Sequence, residues 1–229
     1  MYRRIAGLVI YLLLAMGSVA YAGYNEASVA YRNGDYLRAY DEFKALADGG
    51  DARAQNILGV MNDLGQGMPQ NYSEAMRWYI KAAGQGVIGA QYNIGVMFAR
   101  GKGVPQNYPE AMKWFRMAAD QGHPQAQNTM GFMYATGQGV AQDDAEAGKW
   151  YRKAADQGFA PAQSNLAVMY ANGRGVPQDV VQAHMWYNLA AGNGSAEGQK
   201  GRDAIAGKMT PAQLAEAQRL ATEWILNHK

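Results

Sequence analysis

Trp78, Trp114, Trp150 and Trp186 stand 36 residues apart, and so do Gly86, Gly122, Gly158 and Gly194. Two alanine series keep the same step, Ala54, Ala90, Ala126, Ala162 and Ala83, Ala119, Ala155, Ala191. A strict period of this size constrains the fold more than any single motif does. Each unit must adopt the same small structure, too small to hide its apolar face alone, and must bury that face by stacking on its neighbours.

Inside the unit one phrase recurs: GQGMPQN from Gly65, GKGVPQN from Gly101, GQGVAQD from Gly137 and GRGVPQD from Gly173. Before it comes a stretch such as AQYNIGVMFA, with Ala90, Ile94, Met97 and Phe98 at helical spacing (helix A). After it comes YPEAMKWFRMAA, with Tyr108, Met112, Phe115 and Ala119 on one face (helix B), and Asn107 placed to cap it. A Gln-Gly turn at Gly86, Gly122 and Gly158 supplies the left-handed stop expected at the end of each helix B. The phrase is therefore read as the joint between helices A and B. The joint is favoured over a phosphate loop, because no strand precedes the glycines and no Lys-Ser or Lys-Thr follows them.

Together these motifs, A-Q-N-I-L-G at Ala54–Gly59, the G-x-G-V-P-Q phrase, E-A-x-K-W-Y/F and A-A-x-Q-G, resemble the Sel1-like repeat, a relative of the tetratricopeptide repeat. The resemblance covers residues 24–207, with departures at Ala141, Gly148 and Ala167. It implies an all-α, right-handed α-solenoid of 36-residue helix-loop-helix repeats with capping helices. The expected organisation is a signal peptide at 1–22, an N-terminal capping helix pair at 23–50, four repeats at 51–194 and C-terminal capping helices at 195–229. In the N-terminal pair Asn33-Gly34-Asp35 makes the turn. At the other end Thr210-Pro211-Ala212-Gln213 starts a helix whose Leu214, Ala217, Leu220, Ala221 and Trp224 are expected to seal the last repeat.

Residues 1–22 read as a secretory signal, with Arg3 and Arg4, an apolar run from Ile5 to Met16, and small residues before an expected cut after Ala22. Periplasmic or secreted localisation follows as an expectation. Removing this segment takes two of the 21 basic side chains and leaves the rest equal in number to the 19 acidic ones. A neutral mature chain argues against a nucleic-acid surface. With no cysteine in the sequence, stability has to come from packing rather than disulfides.

The same inventory excludes several chemistries. There is no thiol nucleophile, and none of Ser28, Ser73, Ser164 and Ser195 begins S-x-x-K or lies in G-x-S-x-G. His123, His184 and His228 are scattered, so neither a metal site nor a cofactor is expected. Glu74, Glu110 and Glu146 recur at the start of helix B, where a carboxylate complements the helix dipole. Met61, Met97, Met133 and Met169 form one column on helix A, and the periodic tryptophans another, and both read as core. The chain is thus expected not to be an enzyme.

With core, joint and cap columns set aside, the positions that vary between repeats remain. The tetratricopeptide-like geometry implied by the resemblance puts helix A on the concave side. Candidate protein-binding residues are then Asn56, Tyr92, Asn128, Ser164, Arg100, Phe132, Thr136 and Asn172. Amides and aromatics in this arrangement suit a peptide or a segment of an envelope protein. The expected function is an exported non-catalytic interaction scaffold. The alternative is an envelope hydrolase, or an accessory protein binding β-lactam or peptidoglycan-derived glycan.

Overall fold

The computed structural model describes residues 23–228, so the expected signal segment lies outside the described residues. Among the described residues every regular element is an α-helix. The chain divides between Gln106 and Asn107 into two compact units. The first holds α1 (23–32), α2 (Tyr36–Asp48), α3 (Ala52–Leu64), α4 (Tyr72–Gly84) and α5 (Ile88–Arg100). The second holds α6 (Tyr108–Asp120), α7 (Pro124–Thr136), α8 (Asp144–Ala155), α9 (Ala160–Asn172), α10 (Val180–Gly192), α11 (Ala196–Ala206) and α12 (Pro211–Asn227). This is the all-α, α-solenoid class that the period requires. Helix A is α3, α5, α7 and α9 in successive repeats, and helix B is α4, α6, α8 and α10.

Each helix B starts where its sequence supplies a cap. Asn71, Asn107, Asp143 and Asp179 accept the backbone N–H three residues on, at 2.9–3.0 Å. This removes one of the unpaired donors at each helix B start, an effect of about 1 kcal/mol apiece. Glu74, Glu110 and Glu146 sit in the first turn and pair with Arg77, Lys113 and Lys149 one turn on. These surface pairs add little.

Small side chains let the helices pack closely. Ala54, Ala90, Ala126 and Ala162 on the A helices and Ala75, Ala111, Ala147 and Ala183 on the B helices are all fully buried. Leu58, Ile94, Met130 and Leu166 complete the A-helix core, each buried at a gain of about 1.5–3 kcal/mol. Met61, Met97, Met133 and Met169 are buried beside them, as the repeat column requires. In the first unit Phe43 and Trp78 join this core; in the second, Tyr151, Trp186 and Leu189 do.

The joint between A and B is also a contact with the preceding helix B. Gly173 ends α9 with φ 67°, and Gly175 has φ 66°. A Cβ on Gly175 would lie 2.1 Å from the Asp144 carbonyl oxygen at the start of α8. The same approach recurs between Gly139 and Tyr108, Gly103 and Tyr72, and Gly67 and Tyr36. The second glycine is thus fixed by two independent demands, backbone conformation and proximity. The following glutamine has a role as well. Gln70, Gln106 and Gln178 donate through Nε2 to carbonyls of Asp63, Ala99 and Ala171, which lie in the last turn of helix A.

The chain end folds as its sequence predicts. Thr210 and Gln213 form a reciprocal capping box with Pro211 in the first turn. Ala217 and Ala221 are buried, and Leu220 and Trp224 pack on the second unit's core, where Trp224 meets Trp186 edge to face at 6.0 Å. α11 lies at the start of the region expected to hold the C-terminal capping helices, and it packs on α10 and α9.

Candidate binding face

The A helices carry the candidate residues, some exposed and some not. In the first unit Asn56 on α3 and Tyr92 on α5 are half-buried, and Arg100 is exposed at the end of α5. Asn93 donates through Nδ2 to Asn56 Oδ1 at 3.5 Å. In the second unit Phe132, Thr136 and Asn172 are exposed, and Asn128 is half-buried. Asn165 Nδ2 donates to Asn128 Oδ1 at 3.0 Å, the same bond one pair of repeats later. This link between helix A of one repeat and helix A of the next has an asparagine at both ends.

Ser164 differs from its column. It is buried at 8% exposure, and its Oγ lies 3.1 Å from Ser195 Oγ, the hydroxyl that caps α11. At this position the column packs under the next helix, because a small side chain lets α11 close over it. Phe132 and Val168, by contrast, are 46% and 41% exposed.

A second column was missed in the sequence although it is legible there. Gln55, Gln91, Gln127 and Gln163 each follow the invariant-position alanine of helix A, and all four are buried. Gln55, Gln127 and Gln163 donate to carbonyls of Ala47, Ala119 and Ala155 at 3.0–3.2 Å. Their Oε1 atoms accept from Gln85, Gln157 and Asn193 in the next turn. A buried amide is costly unless both ends are bonded, and here both are. The repeat of the Ala-Gln pair was the available signal.

Tryptophan positions are structural. Trp78, Trp150 and Trp186 are buried, with cations over their rings: Lys81 at 4.0 Å, Lys153 at 4.0 Å and Arg152 at 4.8 Å respectively. Trp114 is half-buried. His123 caps α7, its Nδ1 accepting the Ala126 N–H, and His184 is buried on α10. Burial lowers the pKa of both histidines. Burial raises the Tyr151 hydroxyl to about 12, so it stays protonated. Among the described residues no group of His, Asp and Glu is arranged to hold a metal ion, and no helix is long and apolar enough to cross a membrane.

The family described as Sel1 repeat matches residues 52–87, 88–123, 124–159 and 160–195, well over half the chain. The chain belongs to the Sel1 repeat family. No curated protein sequence matches it. Among solved structures, it is similar to a protective antigen of uropathogenic Escherichia coli described as displaying an SLR fold. The TM-score is 0.83 at 31% identity over 91% of this chain, which spans 46% of the antigen's length. It is also similar to a Sel1 repeat protein from Oxalobacter formigenes, with TM-score 0.74, 37% identity, and coverage of 78% of this chain and 73% of that one. An immunity protein from Pseudomonas aeruginosa shares the fold alone, with TM-score 0.54 at 22% identity, covering 91% of this chain and 80% of that one. Sel1 repeats generally mediate protein–protein interaction, and proteins built from them are generally non-catalytic scaffolds.

Proposed function

We propose that this Sel1 repeat protein is an exported, non-catalytic scaffold whose A-helix faces bind a peptide or a segment of an envelope protein, in the periplasm or outside the cell. Export rests on the pattern of Arg3, Arg4 and the apolar run from Ile5 to Met16. The observation that carries the binding reading is the contrast within helix A. Its core columns are buried, the amides of Gln55, Gln127 and Gln163 are bonded at both ends, and yet Phe132 and Val168 remain exposed beside asparagines. Repeat packing accounts for the first two features and leaves the third to a partner.

The test is in-cell cross-linking with tagged protein, followed by identification of the captured species. Wild type is compared with Tyr92→Ala plus Arg100→Ala, and with Phe132→Ser plus Val168→Ser. Capture of a discrete envelope protein that either double variant loses, while still folded, supports the reading; capture unchanged in both contradicts it. Mass measurement of the exported protein tests export itself, the expected first residue being Gly23.

A further inference from the structure

A crevice of about 480 Å³ lies where the end of α12 meets the last repeat. It is lined by Asp156, Gln157 and Gly158 after α8, by Asn193 at the end of α10, and by Trp224 and His228 at the end of α12. Every lining residue belongs to the second unit, and none is on an A helix.

The polar groups of this crevice share one property. Gln157 uses both N–H groups of its amide, on Gln127 Oε1 and on the Lys153 carbonyl. Asn193 does the same, towards Gln163 Oε1 and the Gly158 carbonyl. Each amide is left with its oxygen, an acceptor. His228 Nδ1 lies 2.8 Å from the Trp224 carbonyl oxygen. A carbonyl only accepts, so Nδ1 carries the hydrogen, and the neutral ring offers Nε2 as a further acceptor. Asp156 adds a carboxylate that forms no ion pair. The basic residues one turn before it are engaged elsewhere. Arg152 donates to the Tyr170 hydroxyl and lies over the Trp186 ring, and Lys153 lies over the Trp150 ring. The Trp224 indole N–H is buried without a partner, but so are those of Trp78, Trp150 and Trp186, which makes this a feature of tryptophan packing.

A carboxylate among acceptors calls for a cation rich in donors. The rings select among cations. Trp224 and His228 stack with centroids 4.2 Å apart and planes within 10° of parallel, giving the crevice a flat aromatic wall. Such a wall suits a planar, weakly hydrated guanidinium better than a strongly hydrated ammonium. We propose that this crevice binds the guanidinium group of an arginine side chain, paired with Asp156 and lying against the Trp224–His228 rings. The oxygens of Gln157 and Asn193 accept its remaining N–H groups. This site is separate from the A-helix faces and stands or falls independently of the scaffold reading.

The test is titration of the purified full-length protein, followed through its tryptophan indole N–H signals by NMR. Trp224→Phe assigns the Trp224 signal, and His228→Ala assigns it through the lost ring stacking if that variant does not fold. The probes are the Nα-acetyl amides of arginine, of lysine and of citrulline, the last an uncharged mimic of arginine. The arginine compound is expected to move the Trp224 signal saturably, with affinity about ten-fold or more above that of the other two. Asp156→Asn is expected to weaken it about ten-fold or more, and His228→Ala several-fold, whereas Glu146→Gln at the other end of α8 leaves it unchanged. Added salt weakens it too, because the pair is open to solvent. Thermal melts check that each variant is folded. An equal response to citrulline or lysine, binding retained in Asp156→Asn, or no saturable shift overturns the inference. A response to Ca2+ or Zn2+ in place of the arginine compound overturns it as well.

Discussion

At the residue scale the two glycines of one joint separate two physical effects. Gly173 needs only a left-handed backbone, its added Cβ coming no nearer than 3.2 Å to a side-chain atom of Gln178. Gly173→Ala is expected to cost about 1 kcal/mol. Gly175→Ala adds a 2.1 Å collision with the Asp144 carbonyl oxygen and is expected to cost clearly more, about 2–4 kcal/mol. Urea unfolding of the two variants checks the order. Gln163 is fully buried, with its amide bonded at both ends, so Gln163→Ala leaves the Ala155 carbonyl and the Asn193 amide without their partner. The expected loss is about 1–3 kcal/mol by the same measurement.

Two histidines, His184 buried and His123 half-buried, give the residue scale a pH signature. Burial holds His123 and His184 below the ordinary imidazole pKa in the folded chain, with Arg202 pushing His184 the same way. The unfolded chain therefore takes up protons first. Their contribution to stability is fully present above about pH 6.5 and is lost as pH falls through that value towards the folded pKa. The melting temperature is expected to drop between pH 7 and pH 5. His123→Asn, which keeps a capping acceptor, combined with His184→Gln should flatten that drop; an unchanged slope would contradict the assignment.

At the element scale most of the fold was legible in the sequence, because each repeat states its own caps, stops and core columns. Asn107, the Gln-Gly turns and the Thr210–Gln213 box all act locally, so local sequence suffices to read them. Contacts that join one element to another were less legible. Ser164 reads as a surface position from helix A alone, and its burial depends on how closely α11 approaches. Tyr187 shows the same limit. In the first and third repeats a helix A glycine, Gly59 or Gly131, receives the ring of Tyr79 or Tyr151. In the fourth repeat Ala167 stands at that place, and the Tyr187 ring lies against Gly201 of α11. Gly201→Ala puts a Cβ 2.3 Å from that ring and is expected to loosen α11. Faster hydrogen exchange in α11 than in α9 of the variant would register it.

At the molecular scale the chain separates its tasks. Within the four repeats the B helices and joints carry most of the charge and the packing tryptophans, while the A helices carry the exposed Phe132 and Val168. Exposed apolar side chains on B helices, Ile80 and Met117, supply a matched comparison. A photo-crosslinking amino acid placed singly at Phe132, Val168, Ile80 or Met117 in the living cell tests the scaffold account most directly. The account predicts a discrete protein adduct from Phe132 and Val168 and none from Ile80 or Met117. Adducts confined to Ile80 and Met117 would place the working surface on the B helices and contradict it.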